Sequence, residues 1–202
     1  APVPEEVFLV LCGTVTSTFD VAWNLVAREA LPVWGTVMAI SQTQGRGQLR
    51  REWISPKGNL YGTVRLPKDH VFSETSAAVL VGALMAQSLR KLGVTVKVKW
   101  PNDLVAVGAD GQWGKVGGIL LEERHGELLV RIGLNILSSP PDSMLRQNSA
   151  CPALNFCDLG KGKPFLPLIT GMIQLVSSMR FCYVHSLHQQ QRHEQFLFAE
   201  KE

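Results

Sequence analysis

Four short apolar runs between residues 96 and 134 constrain the fold more than anything else in this chain. They occupy 96–100, 104–107, 115–123 and 127–134. The links between them are turn chemistry: Pro101-Asn102, Gly108-Ala109-Asp110-Gly111 and His125-Gly126. Strands joined by such short links pair antiparallel, because a parallel crossover needs a much longer connection.

The remaining elements can be placed around that sheet. Residues 7–11 read as a strand. Ser17 or Thr18 caps a helix to about residue 30, with Val21, Ala22, Leu25 and Val26 inward and Pro32 beyond its end. Residues 36–42 form a buried strand, and 60–66 another, with Leu60, Gly62, Val64 and Leu66 alternating with polar neighbours. Ser73 caps a helix to about Leu92, its inner face Ala77, Leu80, Val81, Leu84, Ser88 and Leu92, and Gly93 stops it. A loop-like stretch, 138–163, precedes a helix over 165–187 with Leu168, Ile169, Met172, Leu175, Val176 and Met179 inward. The expected class is α+β: a mixed, mostly antiparallel sheet with helices packed on one side of it. Residues 1–187 read as one domain and 188–202 as a polar C-terminal tail.

Bulk properties fit this. The chain has 202 residues, 46% of them hydrophobic and 18% charged, enough for one well-buried core and not the profile of a disordered protein. A net charge of +3 does not argue for a nucleic-acid binder. Its distribution is uneven: between residues 46 and 68, Arg46, Arg50, Arg51, Lys57, Arg65 and Lys68 face only Glu52. A local positive field of that kind attracts anionic nucleotides. The cysteines Cys12, Cys151, Cys157 and Cys182 show no C-x-x-C spacing, which argues against zinc and fits a reduced, cytoplasmic protein. Cys12 and Cys182 read as buried small hydrophobes. No signal peptide is visible, and no apolar run approaches the ~20 residues a bilayer needs, so no membrane partner is expected.

Two segments carry candidate chemistry. Lys115, followed by Gly117 and Gly118, can bring an ammonium and bare backbone N–H groups to one anion. Gly45-Arg46-Gly47 follows an apolar strand and reads as a turn whose glycines take positive φ. Arg46 and Arg51 offer planar forks for phosphate or carboxylate, and Trp53 a flat face for a purine. Each segment alone also admits a plainer reading, a hairpin with an exposed lysine and a solvated basic loop whose Trp53 packs on the core.

Jointly, the segments resemble a known family. Ser17-Thr18, Gly45-Arg46-Gly47, Arg51-Glu52-Trp53, Ser55-Pro56-Lys57-Gly58-Asn59-Leu60-Tyr61, Lys99-Trp100-Pro101-Asn102-Asp103-Leu104, Lys115-Val116-Gly117-Gly118-Ile119-Leu120 and Gly133-Leu134-Asn135 stand in the order and spacing of biotin–protein ligases, within the biotin/lipoate ligase group. The resemblance covers about residues 7–137. It implies a core akin to class II aminoacyl-tRNA synthetases. It implies an ATP-dependent ligase that forms biotinyl-5′-AMP and transfers biotin to a lysine of an acceptor protein of the biotin carboxyl carrier type. ATP and biotin would be substrates, with Mg²⁺.

The resemblance also implies roles. Lys115 and Arg46 would be catalytic. Ser17, Thr18, Gln42, Gly45, Arg46, Gly47, Gln48, Lys115 and Gly117 would bind biotin. Arg46, Arg51, Trp53, Asn102, Lys115 and Asn135 would meet ATP or the adenylate, and Asp103 would help hold Mg²⁺.

The chain departs from the pattern at Gln48, where the family usually has an arginine that holds the loop over the adenylate, and at Phe19, where an Asn often follows Ser-Thr. Gln48 implies weaker retention of the intermediate, unless Arg50 reaches in. Nothing before residue 7 resembles the helix-turn-helix of relatives that act as repressors, so no DNA partner is expected. No strand series after 187 resembles a C-terminal barrel. A homodimer is compatible with the family. A lipoate or octanoate ligase or transferase, and a non-catalytic biotin or nucleotide sensor, are the alternatives.

Overall fold

The computed structural model describes residues 7–69, 72, 77–141, 151–159 and 168–199, without the side chains of 50, 168–169 and 186–199. The Ser73 cap and the start of the last helix near 165 lie outside the described residues.

The apolar runs of the 96–134 region are four consecutive antiparallel strands. Lys97–Lys99 (β4) pairs with Asp103–Val107 (β5), β5 with Trp113–Arg124 (β6), and β6 with Glu127–Leu134 (β7). His125 and Gly126 turn the last hairpin with φ of 53° and 73°, the left-handed pair whose twist matches that of the flanking strands. Leu60–Arg65 (β3) lies against β7, and Thr36–Gln42 (β2) against β3, both antiparallel. Leu9–Val15 (β1) runs parallel to β2, so the seven-stranded sheet is mixed, in the order β1-β2-β3-β7-β6-β5-β4.

β1 begins later and runs further than the 7–11 reading. The helix between β1 and β2, Thr18–Ala27 (α1), ends short of residue 30. Pro32 is not what stops it: the Arg28 N–H donates to Leu25 O at 3.2 Å and the Glu29 N–H to Val26 O at 3.0 Å, and Glu29 turns the chain at φ 54°. Ser17 is the cap, its hydroxyl accepting from the Phe19 N–H.

The helices pack on both faces, not on one. Ala77–Lys91 (α2) and Leu168–Ala199 (α3) cover one face. There Val81, Leu84, Met85, Val130, Ile132, Leu134, Met172, Leu175 and Met179 form the main core. On the other face α1 buries Phe19 and Ala22 against Val37 and Leu129. The alternation of β3 with polar neighbours predicts one buried face, but both its faces are buried. Tyr61 and Thr63 are as buried as Leu60 and Val64, and the Thr63 hydroxyl is satisfied by Thr18 at 2.8 Å. Val21, Leu25 and Val26 are only partly buried, so Phe19 and Ala22 are the deep contacts of α1. Cys182 is buried as expected, whereas Cys12 is half-buried. No helix among the described residues is long and apolar enough to cross a membrane.

α1 covers only part of its face. The uncovered part, over β5, β6 and β7, is where the site lies.

Candidate functional site

Strict alternation along β6 would send Lys115 to the same face as Gly117 and Ile119, into the main core. The β5–β6 register prevents this. Val105 pairs with Lys115 and Leu104 with Gly117, leaving Val116 as an extra residue. This bulge flips the alternation, so Lys115, Gly118 and Asp103 share the open face. Val116 itself is fully buried in the core. The Lys115 backbone is gripped from the far side by residues 151–154. Its N–H donates to Pro152 O at 2.8 Å, and its carbonyl accepts from the Leu154 N–H at 2.9 Å. The stretch read as loop thus includes a parallel bridge at Ala153, followed by a short 3₁₀ turn, Phe156–Leu159. On the open face the Lys115 ammonium lies 2.6 Å from Asp103 Oδ1 and 5.1 Å from the centre of the Trp53 ring.

Trp53 reaches this place because two glycines leave room for it. Gly118 and Gly133 are cross-strand partners on β6 and β7. A Cβ on Gly118 would stand 2.9 Å from Trp53 Cζ3, and one on Gly133 would stand 2.7 Å from Cε2. The indole therefore lies directly on the backbone of the pair.

The basic loop is a small hairpin rather than a glycine turn. Arg46 bridges Glu52, the Trp53 N–H donates to Gly45 O at 2.8 Å, and the Gly47 N–H donates to Arg51 O at 2.7 Å. Neither Gly45 nor Gly47 has positive φ; the bend is at Leu49, with φ 55°. Close approach is what demands glycine here. A Cβ on Gly45 would meet Trp53 O at 2.2 Å and Ser55 Oγ at 2.7 Å. Gly45→Ala is expected to push the hairpin off Trp53 and weaken binding of an anionic ligand beside it by about tenfold or more, with the melting temperature changed by no more than about 5 °C. Wild-type binding by Gly45→Ala in calorimetry would show that the hairpin tolerates the side chain.

Loop and sheet enclose a cavity of about 260 Å³, lined by Arg46, Gly47, Gln48, Arg51, Glu52, Trp53, Pro101, Asn102, Asp103, Lys115, Gly118, Ile119, Leu120 and Arg131. Arg46, Arg51, Lys115 and Arg131 outnumber Glu52 and Asp103, so the lining favours an anion. Of the residues named from sequence, Arg46, Gly47, Gln48, Arg51, Trp53, Asn102, Asp103 and Lys115 meet here. Arg46 is held by Asp20 of α1 at 2.6 Å. Asn102 is buried, its Nδ2 donating to Ile119 O at 2.9 Å.

Six others do not line this cavity. Ser17, Thr18 and Gln42 are buried beside α1. Gln42 Oε1 accepts from the Thr18 N–H and hydroxyl at 2.9 and 3.2 Å, and its Nε2 donates to Ser55 Oγ at 2.9 Å. Gly45 lies at the base of the hairpin. Gly117 faces the core, where a Cβ would meet Leu134 Cδ2 at 2.6 Å. Asn135 ties strand ends together, its N–H on Val116 O and its Nδ2 on Leu154 O at 3.1 Å. As for a metal, Asp103 is already engaged by an ammonium, and no group of three His, Cys, Asp or Glu side chains among the described residues could hold an ion.

Arg131 was not anticipated. Its signal was present: a lone charge inside the apolar run of β7. The side chain is 4% exposed, 5.8 Å from the centre of the Phe19 ring. Burial, joined by the Arg46 charge, pulls its pKa down to about 10, with Glu122 acting the other way.

Comparison with known proteins gives a consistent picture. Residues 11–137 match the Biotin/lipoate A/B protein ligase family. A biotin–[acetyl-CoA-carboxylase] ligase of Paracoccus denitrificans is 32% identical over 127 residues, which is 59% of this chain and 51% of that protein. Biotin–protein ligase 2 of Arabidopsis thaliana is 28% identical over 161 residues, 73% of this chain and 47% of that protein. The chain thus spans about half the length of these relatives. Among solved structures, the biotin protein ligase of Leishmania major, crystallised with biotinyl-5-AMP, superposes with a TM-score of 0.68 at 27% identity, covering 85% of this chain and 73% of that one.

Proposed function

Because the chain belongs to the biotin/lipoate A/B protein ligase family, we propose that it condenses biotin with ATP and passes the biotinyl group to a lysine of an acceptor protein. The observation that carries this reading is the meeting of Lys115 and Arg46 in one net-positive cavity, with Trp53 laid over a glycine pair beside them. The curated relatives named as biotin ligases, and a neighbour crystallised with biotinyl-5-AMP, support it.

In the first step a biotin carboxylate oxygen attacks the α-phosphorus of ATP. A C(O)–O–P linkage forms, the α–β phosphoanhydride bond breaks, and pyrophosphate leaves. Two anions must approach, so fixed cations lower the barrier. Lys115 would serve the junction of carboxylate and phosphate, and Asp103 keeps its ammonium on the open face. Arg46, braced by Asp20, takes phosphate oxygens from the hairpin. Asn102 and Trp53 wall the nucleotide side. In the second step the lysine amine of the acceptor attacks the acyl carbon, AMP leaves, and the amine loses its proton. Thr18 and Gln42 would serve biotin's ureido ring by exchanging their present mutual hydrogen bonds for ligand ones, and Ser17 by exchanging the one its hydroxyl accepts from the Phe19 N–H. With Asp103 engaged by Lys115, Mg²⁺ would enter on the triphosphate, the usual habit of that ion.

Incubation with biotin, α-labelled ATP and a biotin carboxyl carrier domain tests the reading. Labelled adenylate followed by biotinylated acceptor is the expected result. Lipoyl or octanoyl transfer in place of biotin would move the substrate to the other branch of the family, and binding without turnover would make the protein a sensor.

A further inference from the structure

Two buried side-chain nitrogens among the described residues have no hydrogen-bond partner: Trp53 Nε1 and Arg131 Nη1. Both belong to residues that line the cavity beside Lys115. Folded proteins rarely leave a buried donor unsatisfied, and a buried guanidinium without a counter-charge is especially costly. These two are also neighbours in the fold. Arg131 and Gly133 share a face of β7, and the Trp53 indole nitrogen lies against the Gly133 backbone, 2.9 Å from where a Cβ would be.

Several of the other charged groups nearby are already matched. Lys115 has Asp103, and Arg46 has Asp20. Glu122 is bonded by Trp23 and Arg124. No ion pair among the described residues involves Arg131. Phe19 backs its guanidinium from the α1 side and supplies no acceptor atom. With Asp103, Asp20 and Glu122 engaged by other groups, an oxyanion of the ligand is the partner that would satisfy Arg131.

We propose that Trp53 Nε1 and Arg131 Nη1 form a two-donor subsite for an oxyanion of the ligand, either the carboxylate of the acid or the phosphate of the nucleotide. The existence of the subsite does not depend on the ligase reading; only the identity of the two candidate oxyanions rests on it. Arg131 sits on a central strand and Trp53 on a packed glycine platform, so the donors are preorganised. The subsite also supplies positive charge from the sheet in a cavity whose loop carries a neutral Gln48.

Calorimetric titration of the full chain with two pairs of ligands tests this: biotin against biotinamide, and AMP against adenosine. Each pair differs in the oxyanion alone. The wild type is expected to prefer the charged member of at least one pair. Arg131→Gln is expected to lose about tenfold or more of that preference, its neutral members binding within about twofold of wild type, and Trp53→Phe a smaller part of the preference. A change in the biotin pair assigns the carboxylate, and one in the AMP pair the phosphate. Preferences that persist in both variants overturn the proposal.

Ligand-free stability gives a second readout. Arg131→Met should melt above the wild type, because it removes an unpaired buried charge. A lower melting temperature would mean that the guanidinium holds the fold, and would overturn the assignment. If neither biotin nor AMP binds the wild type, the ligase reading fails instead. Pyrophosphate then serves as the probe: Arg131-dependent binding sustains the subsite, and binding that is absent or indifferent to Arg131→Gln refutes it.

Discussion

Under the proposed ligase reaction, Lys115→Ala is expected to lower pyrophosphate release from biotin and ATP by about 10²–10³-fold, the loss typical of one preorganised donor. The fold should survive the change. What fixes residue 115 is its backbone, bonded to Pro152 and Leu154 and paired with Val105, and none of those contacts uses the ammonium. Circular dichroism and melting temperature should therefore stay close to wild type. The loss should appear in kcat at saturating biotin and ATP, because the ammonium is asked to neutralise charge that develops as the two anions join. Release within tenfold of wild type would remove Lys115 from the chemistry. The Lys115–Asp103 pair would then be a surface contact of little consequence.

The second large effect concerns stability and falls on Asn59. This residue is 1% exposed, and its Oδ1 accepts from three successive N–H groups: Ile136 at 2.9 Å, Leu137 at 3.0 Å and Ser138 at 3.2 Å. Its Nδ2 donates to Ser138 O at 2.9 Å. One side chain thus satisfies the backbone where the chain leaves β7, next to Gly58, whose φ is 92° and whose missing Cβ makes room for Leu137. Asn59→Ala strands those groups and should cost about 3 kcal/mol. At this chain length that corresponds to a drop of about 10 °C in melting temperature. Asn59→Asp keeps the acceptor and should lose less. Denaturant unfolding of both variants is the measurement. A cost below about 1 kcal/mol for Asn59→Ala would mean that water replaces the side chain at these amides.

Much of the sheet could be read in advance where turn chemistry is local. The links at Pro101-Asn102, Gly108–Gly111 and His125-Gly126 fall where strands β4 to β7 turn, and 36–42 and 127–134 needed no revision. The C-terminal end of α1 was harder, because Pro32 offered an obvious stop and the actual one is a left-handed Glu29. The two-sided burial of β3 was harder still. Thr63 looks polar in sequence, and only the Thr18 hydroxyl across from it makes its burial tolerable.

The same division runs through the site. Residue types alone determined that a lysine beside two glycines, and an arginine between two more with a tryptophan close behind, can each handle an anion, because those chemistries are properties of the side chains and of short stretches of backbone; that they belong to one arrangement was what the family resemblance implied. Which way they face was a tertiary matter. The bulge at Val116 turns Lys115 out of the core, the Gly118–Gly133 pair admits the indole, and Arg131 enters the cavity from a strand that pairs with β3 and β6. Register between strands decides each of these. It depends on partners far apart in the chain, and a one-residue shift moves a side chain from one face of the sheet to the other.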